Sequence, residues 1–301
     1  MHKFLKIITT AITVSTVFIA PFSKAYEQEK WLEKVTKHQW YAGEEDCQKS
    51  TVDVFETVKV NHNTYVIRQS KCSHYEAPFL YLLLGEKRGL LVDTGAKPKD
   101  QNGFTPYKLV QQLVEQYKDE KGLENYSLVV SHSHSHSDHY GGDEQFIDKE
   151  NVELIAPNSD AIQDFFKFNH VAQTNKSTQS NQAQSTLNLG GRKLTVLHIP
   201  GHQPDSIAIY DPQTQWLLTG DSVYPGRLYV RNWSTFKESI ARLTAFTEQN
   251  NVSAIMGTHI EMSNVAGKDY PMGATHQPNE TPLPLTVNDL KGLNNALIAL
   301  G

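Results

Sequence analysis

Short apolar runs separated by polar turns dominate the 301-residue chain. The runs are only a few residues long and are rich in branched and aromatic side chains, which is typical of β-strands. They fall into two groups, and the turn-like Asn61-His62-Asn63 separates the first two strands. We predict strands at residues 52–60, 64–69, 78–84, 89–92, 128–130 and 152–156 in the first group, and at 193–199, 206–210, 216–219 and 252–256 in the second.

Helical periodicity occupies segments between the strands. Five apolar residues recur at helical spacing before the strand at 128–130: Leu109, Val110, Leu113, Val114 and Tyr117. We predict further helices near 31–35, at 161–168, at 235–248 and after Thr286, whose hydroxyl can cap the last one. The polar residues 171–188 form either a mobile loop or, as we favour, a connector between two halves. Because each group of strands is followed by helices, the predicted fold is α/β, a four-layer αβ/βα sandwich of two mixed β-sheets flanked by helices.

The beginning of the chain does not fit this pattern. A basic start precedes an uncharged apolar stretch at 7–22, and the small residues Ser23 and Ala25 stand where a signal peptidase recognises its site. The stretch is short for a membrane span, which is the alternative. We predict a signal peptide at 1–25, a single domain at 26–301, and a mature protein that is periplasmic or secreted.

The mature chain would be acidic. Loss of residues 1–25 reduces the 28 lysines and arginines to 25, against 33 acidic residues, so the formal charge becomes −8. This balance gives no electrostatic case for binding nucleic acid or an anionic membrane. Export also makes a disulfide between Cys47 and Cys72 plausible, with two buried free thiols as the alternative.

The densest group of chemically active residues follows the predicted strand at 128–130. The sequence there is Ser131-His132-Ser133-His134-Ser135-His136-Ser137-Asp138-His139-Tyr140-Gly141-Gly142. Imidazole and carboxylate are ligands that zinc takes, and His134 and His136, two apart on an extended chain, point to the same side. Asp138 and His139 could face a second ion nearby. A polar, histidine-rich loop and a tract that sequesters metal weakly are the alternatives.

Three more candidate ligands follow in turns at predicted strand ends. They are His202 in Pro200-Gly201-His202-Gln203-Pro204, Asp221 in Thr219-Gly220-Asp221-Ser222, and His259 in Gly257-Thr258-His259. Each is weak evidence alone, because a single histidine in a turn is more often a surface residue. Together with the cluster they make four ligand-bearing turns, each after an apolar strand.

The pattern His134-x-His136-x-Asp138-His139 with these downstream residues resembles the signature of the metallo-β-lactamase superfamily. Only His134 as first ligand puts the Asp-His pair in its family place. His132 therefore falls outside the motif and is expected to face elsewhere or to support a ligand. Asp93, in Asp93-Thr94-Gly95, resembles the family aspartate that supports the metal loop.

The resemblance implies two zinc ions. The first would be bound by His134, His136 and His202, and the second by Asp138, His139 and His259, with Asp221 bridging both. Two such ions share a water whose pKa falls towards neutrality, and the resulting bridging hydroxide attacks the substrate carbonyl. Asp138 would orient this hydroxide and could accept its proton. Tyr224 has a spacing from Asp221 similar to that in quorum-signal lactonases, where the phenol contacts the substrate carbonyl, and a packing role in Tyr224-Pro225-Gly226 is the alternative.

The identity of residue 221 also helps to distinguish the branches of the family. Zinc-dependent β-lactamases generally have cysteine or serine there, whereas glyoxalase II-type thioesterases and lactonases have the bridging aspartate. The resemblance therefore predicts an exported dinuclear zinc hydrolase that cleaves an ester, thioester or lactone of a small acyl substrate. A zinc-dependent β-lactamase and a non-catalytic zinc-binding module remain alternatives. No arginine and lysine set for a glutathione carboxylate is evident, and the sequence indicates no oligomeric state.

Overall fold

Two mixed six-stranded β-sheets form the centre of the protein, in a computed structural model that describes residues 20–99, 102–168 and 184–301, with side chains from residue 25 onward. The first sheet contains β1 Phe55–Asn61, β2 Thr64–Gln69, β3 Phe79–Leu84, β4 Arg88–Val92, β5 Ser127–Ser131 and β6 Val152–Leu154, in that order. Its first four strands are antiparallel neighbours, whereas β5 runs parallel to both β4 and β6.

The second sheet also places its strands in chain order. It contains β7 Gln184–Asn188, β8 Lys193–His198, β9 Ile207–Asp211, β10 Trp216–Gly220, β11 Ala254–Gly257 and β12 Pro284–Leu285. All neighbours are antiparallel except β10 and β11, which run parallel. As a result β8, β10 and β11 point the same way and end at one edge of the sheet.

The described helices are α1 Ala20–Thr36, α2 Pro106–Lys121, α3 Ser137–Tyr140, α4 Ser159–Phe166, α5 Trp233–Gln249 and α6 Val287–Ala299. Helix α2 covers the outer face of the first sheet, and α5 and α6 cover that of the second. Helices α1 and α4 pack against the core between the sheets, and α3 is a single turn. Helix α2 makes the crossover that the parallel pair β4 and β5 requires, and α5 does the same for β10 and β11.

Strand β3 shows how the layers pack. Phe79, Tyr81 and Leu83 lie in the core between the sheets, whereas Leu80 and Leu82 pack in the outer core that includes α2. Successive side chains on a strand point to opposite faces, so a strand covered on both sides is apolar throughout. A third core lies between the second sheet and helices α5 and α6. The predicted four-layer sandwich is therefore confirmed.

The predicted strands are all present, with ends shifted by at most three residues. Two segments were predicted wrongly. Residues 184–188, assigned to the connector, form the edge strand β7, in which only Leu187 is buried, so no apolar alternation marks it. Strand β12, Pro284–Leu285, was not among the predicted strands, because it has only two residues and one of them is proline. Helix α4 begins at Ser159 because Asn158 caps it by accepting from the Ala161 amide.

The leader and domain predictions remain predictions. Residues 1–19 lie outside the described part of the chain, as do 169–183 of the predicted connector, and α1 runs across the proposed cleavage point after Ala25. Among the described residues no helix combines the length and apolar character needed to cross a membrane.

A buried arginine joins the two sheets. Arg192 lies in the turn between β7 and β8, and its guanidinium contacts both carboxylate oxygens of Asp211 at 3.1 and 2.7 Å. It also donates to the carbonyl of Asn63 at 2.8 Å and to the hydroxyl of Thr64 at 2.9 Å, both in the first sheet's β1–β2 hairpin. Because every strong donor has an acceptor, the charge is tolerated in the interior.

The cysteine prediction is confirmed, since Cys47 and Cys72 form a disulfide. The bond joins the segment before β1 to the loop between β2 and β3. That loop continues through residues 74–77 to the candidate site described next.

Candidate metal centre

The predicted ligands meet at one edge of the sandwich because of strand direction. Their segments follow the carboxyl ends of β5, β8, β10 and β11. In the second sheet these ends share one edge, and the first sheet's edge is joined to it where the Ile207 amide donates to the Ser133 carbonyl at 2.9 Å. The topology thus brings together residues far apart in the sequence.

The structure places the seven residues in two groups that share Asp221. The first comprises His134, His136, His202 and Asp221, and the second comprises Asp138, His139, Asp221 and His259. Within each group one possible ligand atom per residue lies within 4.8 Å of the others. These groups coincide with the two ligand sets inferred from the sequence.

Ring nitrogens of three histidines converge in the first group. His134 Nε2 lies 3.0 Å from His136 Nδ1 and 3.1 Å from His202 Nε2. Asp221 Oδ2 lies 3.7 Å from His134 Nε2 and 3.8 Å from His202 Nε2. Burial, and then His139, lower the pKa of His134, which favours the neutral ring that a metal requires.

Carboxylates contact the second pair of histidines. Asp138 Oδ2 lies 3.1 Å from the Nε2 atoms of both His139 and His259, and Asp221 lies 3.6 and 3.4 Å from the same two atoms. Burial lowers the pKa of His139, but the carboxylates of Asp138 and Asp93 outweigh burial and raise it. At His259 burial also lowers the pKa, but the carboxylates of Asp221 and Asp138 outweigh burial and raise it to about 9.

Hydrogen bonds on the far side of the rings fix their orientation. His139 Nδ1 donates to Asp93 Oδ2 at 2.8 Å, His202 Nδ1 to the Tyr229 carbonyl at 2.6 Å, and His259 Nδ1 to the Glu76 carbonyl at 2.9 Å. Because each acceptor holds a proton on Nδ1, Nε2 is the ring atom that faces the group, an arrangement typical of metal-binding histidines.

Asp93 supports the histidine-rich loop, in the position that the resemblance implied. Besides His139 it accepts from the amide and the hydroxyl of Ser133 at 2.7 and 2.9 Å. Gly220 allows the neighbouring turn to approach this loop, because a Cβ there would lie 2.7 Å from the Ser133 Cβ. Its φ of +53° also suits glycine. Asp221 is thereby placed directly against the histidine loop.

Two residues singled out in the sequence lie outside both groups. His132 is fully buried and its Nε2 lies 2.9 Å from Asp143 Oδ1, so it faces away from the ligands. Tyr224 packs its ring against His259 with centroids 5.7 Å apart. Its hydroxyl, however, donates to the Arg227 carbonyl and lies 3.2 Å from Glu261 Oε2.

Sequence reasoning missed several supporting groups. The carbonyls of Glu76 and Tyr229 carry no side-chain signal, so no pattern could have found them. Thr258 donates its hydroxyl to Asp221 Oδ1, and Gln203 contacts the His136 ring. Thr258 and Gln203 are each next to a predicted ligand in the sequence, and this position was the one signal that could have identified them.

The donor set fits divalent metal ions. Four of the imidazoles are buried, and imidazole nitrogens and carboxylate oxygens converge in both groups. Imidazole and carboxylate are ligands that zinc takes. Two groups sharing one carboxylate indicate room for two ions.

Comparison with known proteins agrees with this geometry. The metallo-beta-lactamase superfamily model matches residues 77–254, more than half of the chain, so the protein belongs to that superfamily. A human acyl-coenzyme A thioesterase, MBLAC2, is 24% identical over 208 residues, which cover 60% of this chain and 72% of the relative. A hydroxyacylglutathione hydrolase from Chromohalobacter salexigens is 27% identical over 216 residues, covering 63% and 79% respectively.

A solved metallo-beta-lactamase from Pontibacter korlensis shares the fold. It is 18% identical with a TM-score of 0.51, over 81% of this chain and 99% of that one. At this identity the similarity shows the fold alone. The relatives in sequence support a hydrolase of the superfamily.

Proposed function

We propose that the protein is an exported dinuclear zinc hydrolase that cleaves an ester, thioester or lactone bond in a small acyl compound. The observation that carries the proposal is the pair of ligand groups joined by Asp221. The names of the thioesterase and the hydroxyacylglutathione hydrolase among its relatives support acyl transfer to water. The Cys47–Cys72 disulfide supports export, because such bonds persist in oxidising compartments.

The metal and the protein would contribute different parts of the chemistry. Zinc bound at the two groups would supply Lewis acidity that polarises a carbonyl and acidifies water. The chain holds the ligands rigidly through Asp93, Ser133 and the backbone carbonyls, so little reorganisation is needed during reaction.

Asp138 is placed for proton handling. Its side chain is 16% exposed, more than the 9% of Asp221, so it can reach both the reacting water and the solvent. We assign it the orientation of the attacking water and acceptance of its proton. The hydroxyl of Tyr224 is bound to Arg227 and Glu261, so we assign Tyr224 to packing beneath His259 unless substrate draws the hydroxyl away.

The test is a hydrolysis screen with the mature, zinc-reconstituted protein across thioesters, lactones, simple esters and the β-lactam nitrocefin. We expect turnover of at least one of the first three classes and its loss with a chelator. His62→Ala, an exposed histidine outside both groups, should match the wild type, whereas His202→Ala should lose activity. Turnover of nitrocefin alone would favour a β-lactamase, and metal binding without any turnover would favour a binding module.

A further inference from the structure

One histidine of the first ligand group faces that group with a different ring atom from the other histidines. His136 presents Nδ1, which lies 3.0 Å from His134 Nε2 and 3.2 Å from His202 Nε2. His139 and His259 in the second group also present Nε2, which contacts a carboxylate of that group. The atom on the far side of the His136 ring is therefore Nε2, whereas it is Nδ1 in the others.

The partner on that far side also differs in kind. His139, His202 and His259 donate from Nδ1 to a carboxylate or a backbone carbonyl, and these oxygens can only accept. His136 Nε2 instead contacts the side-chain amide of Gln203. Such an amide has an oxygen that accepts and an NH2 group that donates, so its orientation decides which nitrogen of the His136 ring carries the proton.

An arginine from the loop after β10 holds this amide. Arg231 Nη1 donates to Gln203 Oε1 at 2.9 Å, so the NH2 group of the same amide faces His136 Nε2. In this orientation His136 Nε2 accepts, and the proton of the neutral ring is on Nδ1, the atom that faces the ligand group. Nδ1 cannot bind a metal ion while it carries that proton.

Metal binding through Nδ1 requires the opposite orientation of the amide. The proton is then on Nε2 of His136 and needs an acceptor, which the oxygen of Gln203 provides. A half turn about the last side-chain bond of Gln203 exchanges the oxygen and the NH2 group without moving the rest of the residue. The NH2 group then faces Arg231, a donor, so the arginine contact is lost.

The backbone of both residues is fixed, so this exchange is confined to side chains. The backbone N–H of Gln203 donates to Ser206 Oγ at 3.1 Å, and its carbonyl accepts from the N–H of Gly201 at 3.2 Å. Pro204 restricts the backbone of Gln203 further. The backbone N–H of Arg231 donates to the Gly201 carbonyl at 3.0 Å. The two side chains therefore start from fixed points in the turn that carries the third histidine of the group.

We infer that Gln203 is a positioning residue for metal binding by His136, and that Arg231 competes with His136 for its amide oxygen. When Nδ1 of His136 binds metal, the oxygen of Gln203 accepts from Nε2 and fixes the ring. While Arg231 holds that oxygen, the first group binds metal less tightly. This inference rests on the metal centre of the proposed function, but on no particular substrate.

The test is a zinc titration of chelator-treated mature protein in competition with a chromogenic chelator, which gives a dissociation constant for each equivalent. In Gln203→Leu we expect one constant to rise by about 10- to 100-fold, the usual cost of removing a partner of a ligand histidine, and the other to change by less than about threefold. Gln203→Glu offers two acceptor oxygens, one for Arg231 and one for His136. It should therefore bind zinc at least as tightly as the wild type.

Two further variants complete the design. Arg231→Met removes the competitor for the amide oxygen, so its zinc affinity should equal or exceed that of the wild type. Gln112→Leu, at an exposed glutamine of α2, is the matched control and should behave as the wild type. The Tm of the zinc-free protein should be unchanged in every variant, because Gln203 is half-buried and Arg231 is exposed.

The outcomes separate the two proposals. If Gln203→Leu binds both equivalents as tightly as the wild type, or if Gln203→Glu is weakened as much as Gln203→Leu, the role of Gln203 is refuted while the proposed hydrolase stands. A loss of zinc affinity of about tenfold or more in Arg231→Met would refute the competition for the oxygen. If the wild type binds no zinc, the metal centre of the proposed hydrolase and the role of Gln203 are both wrong.

Discussion

Replacing Asp221 by Asn tests the centre of the site most directly. Asp221 Oδ2 lies 3.6 to 3.8 Å from the Nε2 atoms of His134, His139 and His202, and Oδ1 lies 3.4 Å from that of His259. Asparagine keeps the size but removes the charge shared by both groups and leaves one oxygen ligand in place of two. No other described residue belongs to both groups.

The expected loss can be set by analogy with a lost electrostatic contact in an active site. Such a loss costs about 2.7–4 kcal/mol in the transition state, and each 1.36 kcal/mol is tenfold in rate. We therefore expect kcat to fall by about 10²–10³ in Asp221→Asn. Zinc content should fall from two equivalents towards one, because the second group would retain only Asp138, His139 and His259 as charged or imidazole ligands.

The measurement combines steady-state kinetics with elemental analysis of reconstituted protein. Asp205→Asn is the control, because Asp205 is a buried carboxylate bonded to the Ser135 hydroxyl but belongs to neither ligand group. It should keep two zinc equivalents and lose less than tenfold in kcat. If Asp221→Asn retained two zincs and nearly full activity, the assignment of the bridging role would be wrong and the β-lactamase hypothesis would gain support.

Three further predictions concern other parts of the molecule. Tyr224→Phe should lower kcat/KM by about tenfold or less, because its hydroxyl already bonds to protein and at most one hydrogen bond is lost. Denatured, unreduced protein from an oxidising compartment should show no free thiols, and replacing both Cys47 and Cys72 by Ser should destabilise the fold by about 3 kcal/mol on the chain-entropy account. Burial raises the pKa of Asp211, but Arg192 outweighs burial and holds it below its ordinary value. The stabilisation from this carboxylate is therefore present above about pH 4, the pKa in the unfolded chain, and is lost as the pH falls through the lower pKa of the folded state. In Asp211→Asn the free energy of unfolding by denaturant should therefore depend less on pH in that range than in the wild type.

Each of these predictions has a clear contrary result. A hundredfold loss of kcat/KM in Tyr224→Phe, with metal content unchanged, would indicate that the phenol contacts the substrate directly. Two titratable thiols would contradict the disulfide. An unchanged acid dependence in Asp211→Asn would mean that the Arg192 pair contributes little to folding stability.

The candidate ligands could be predicted because their chemistry is concentrated in short motifs at strand ends. His134 and Asp138 lie in one dense cluster, and His202 stands in a turn fixed by proline and glycine. Strand direction then brings these segments together, because the carboxyl ends of parallel strands meet at the same edge of a sheet. The sandwich fold could be predicted because groups of strands alternate with helices along the sequence.

Other features could not be predicted, for physical reasons. The groups that orient His259 and His202 are backbone carbonyls, which every residue carries. Lys71 stands in a polar loop and looks in the sequence like a solvated side chain, because its burial depends on how that loop packs against distant segments. The edge strand β7 has a single buried residue, so pairing with β8, not its own composition, defines it.

The strand order has a consequence for how the protein is made. In each sheet every hydrogen-bonded neighbour among the described strands is also the next strand in the chain. Domains generally fold as units, and the core between the sheets takes side chains from both, so neither sheet can bury its inner face before the other has been made. Residues 134–139 are synthesised early, but the shared carboxylate and the last histidine of the candidate site follow only β10 and β11. The complete ligand set can therefore assemble only after nearly the whole chain has been synthesised and the two sheets have docked.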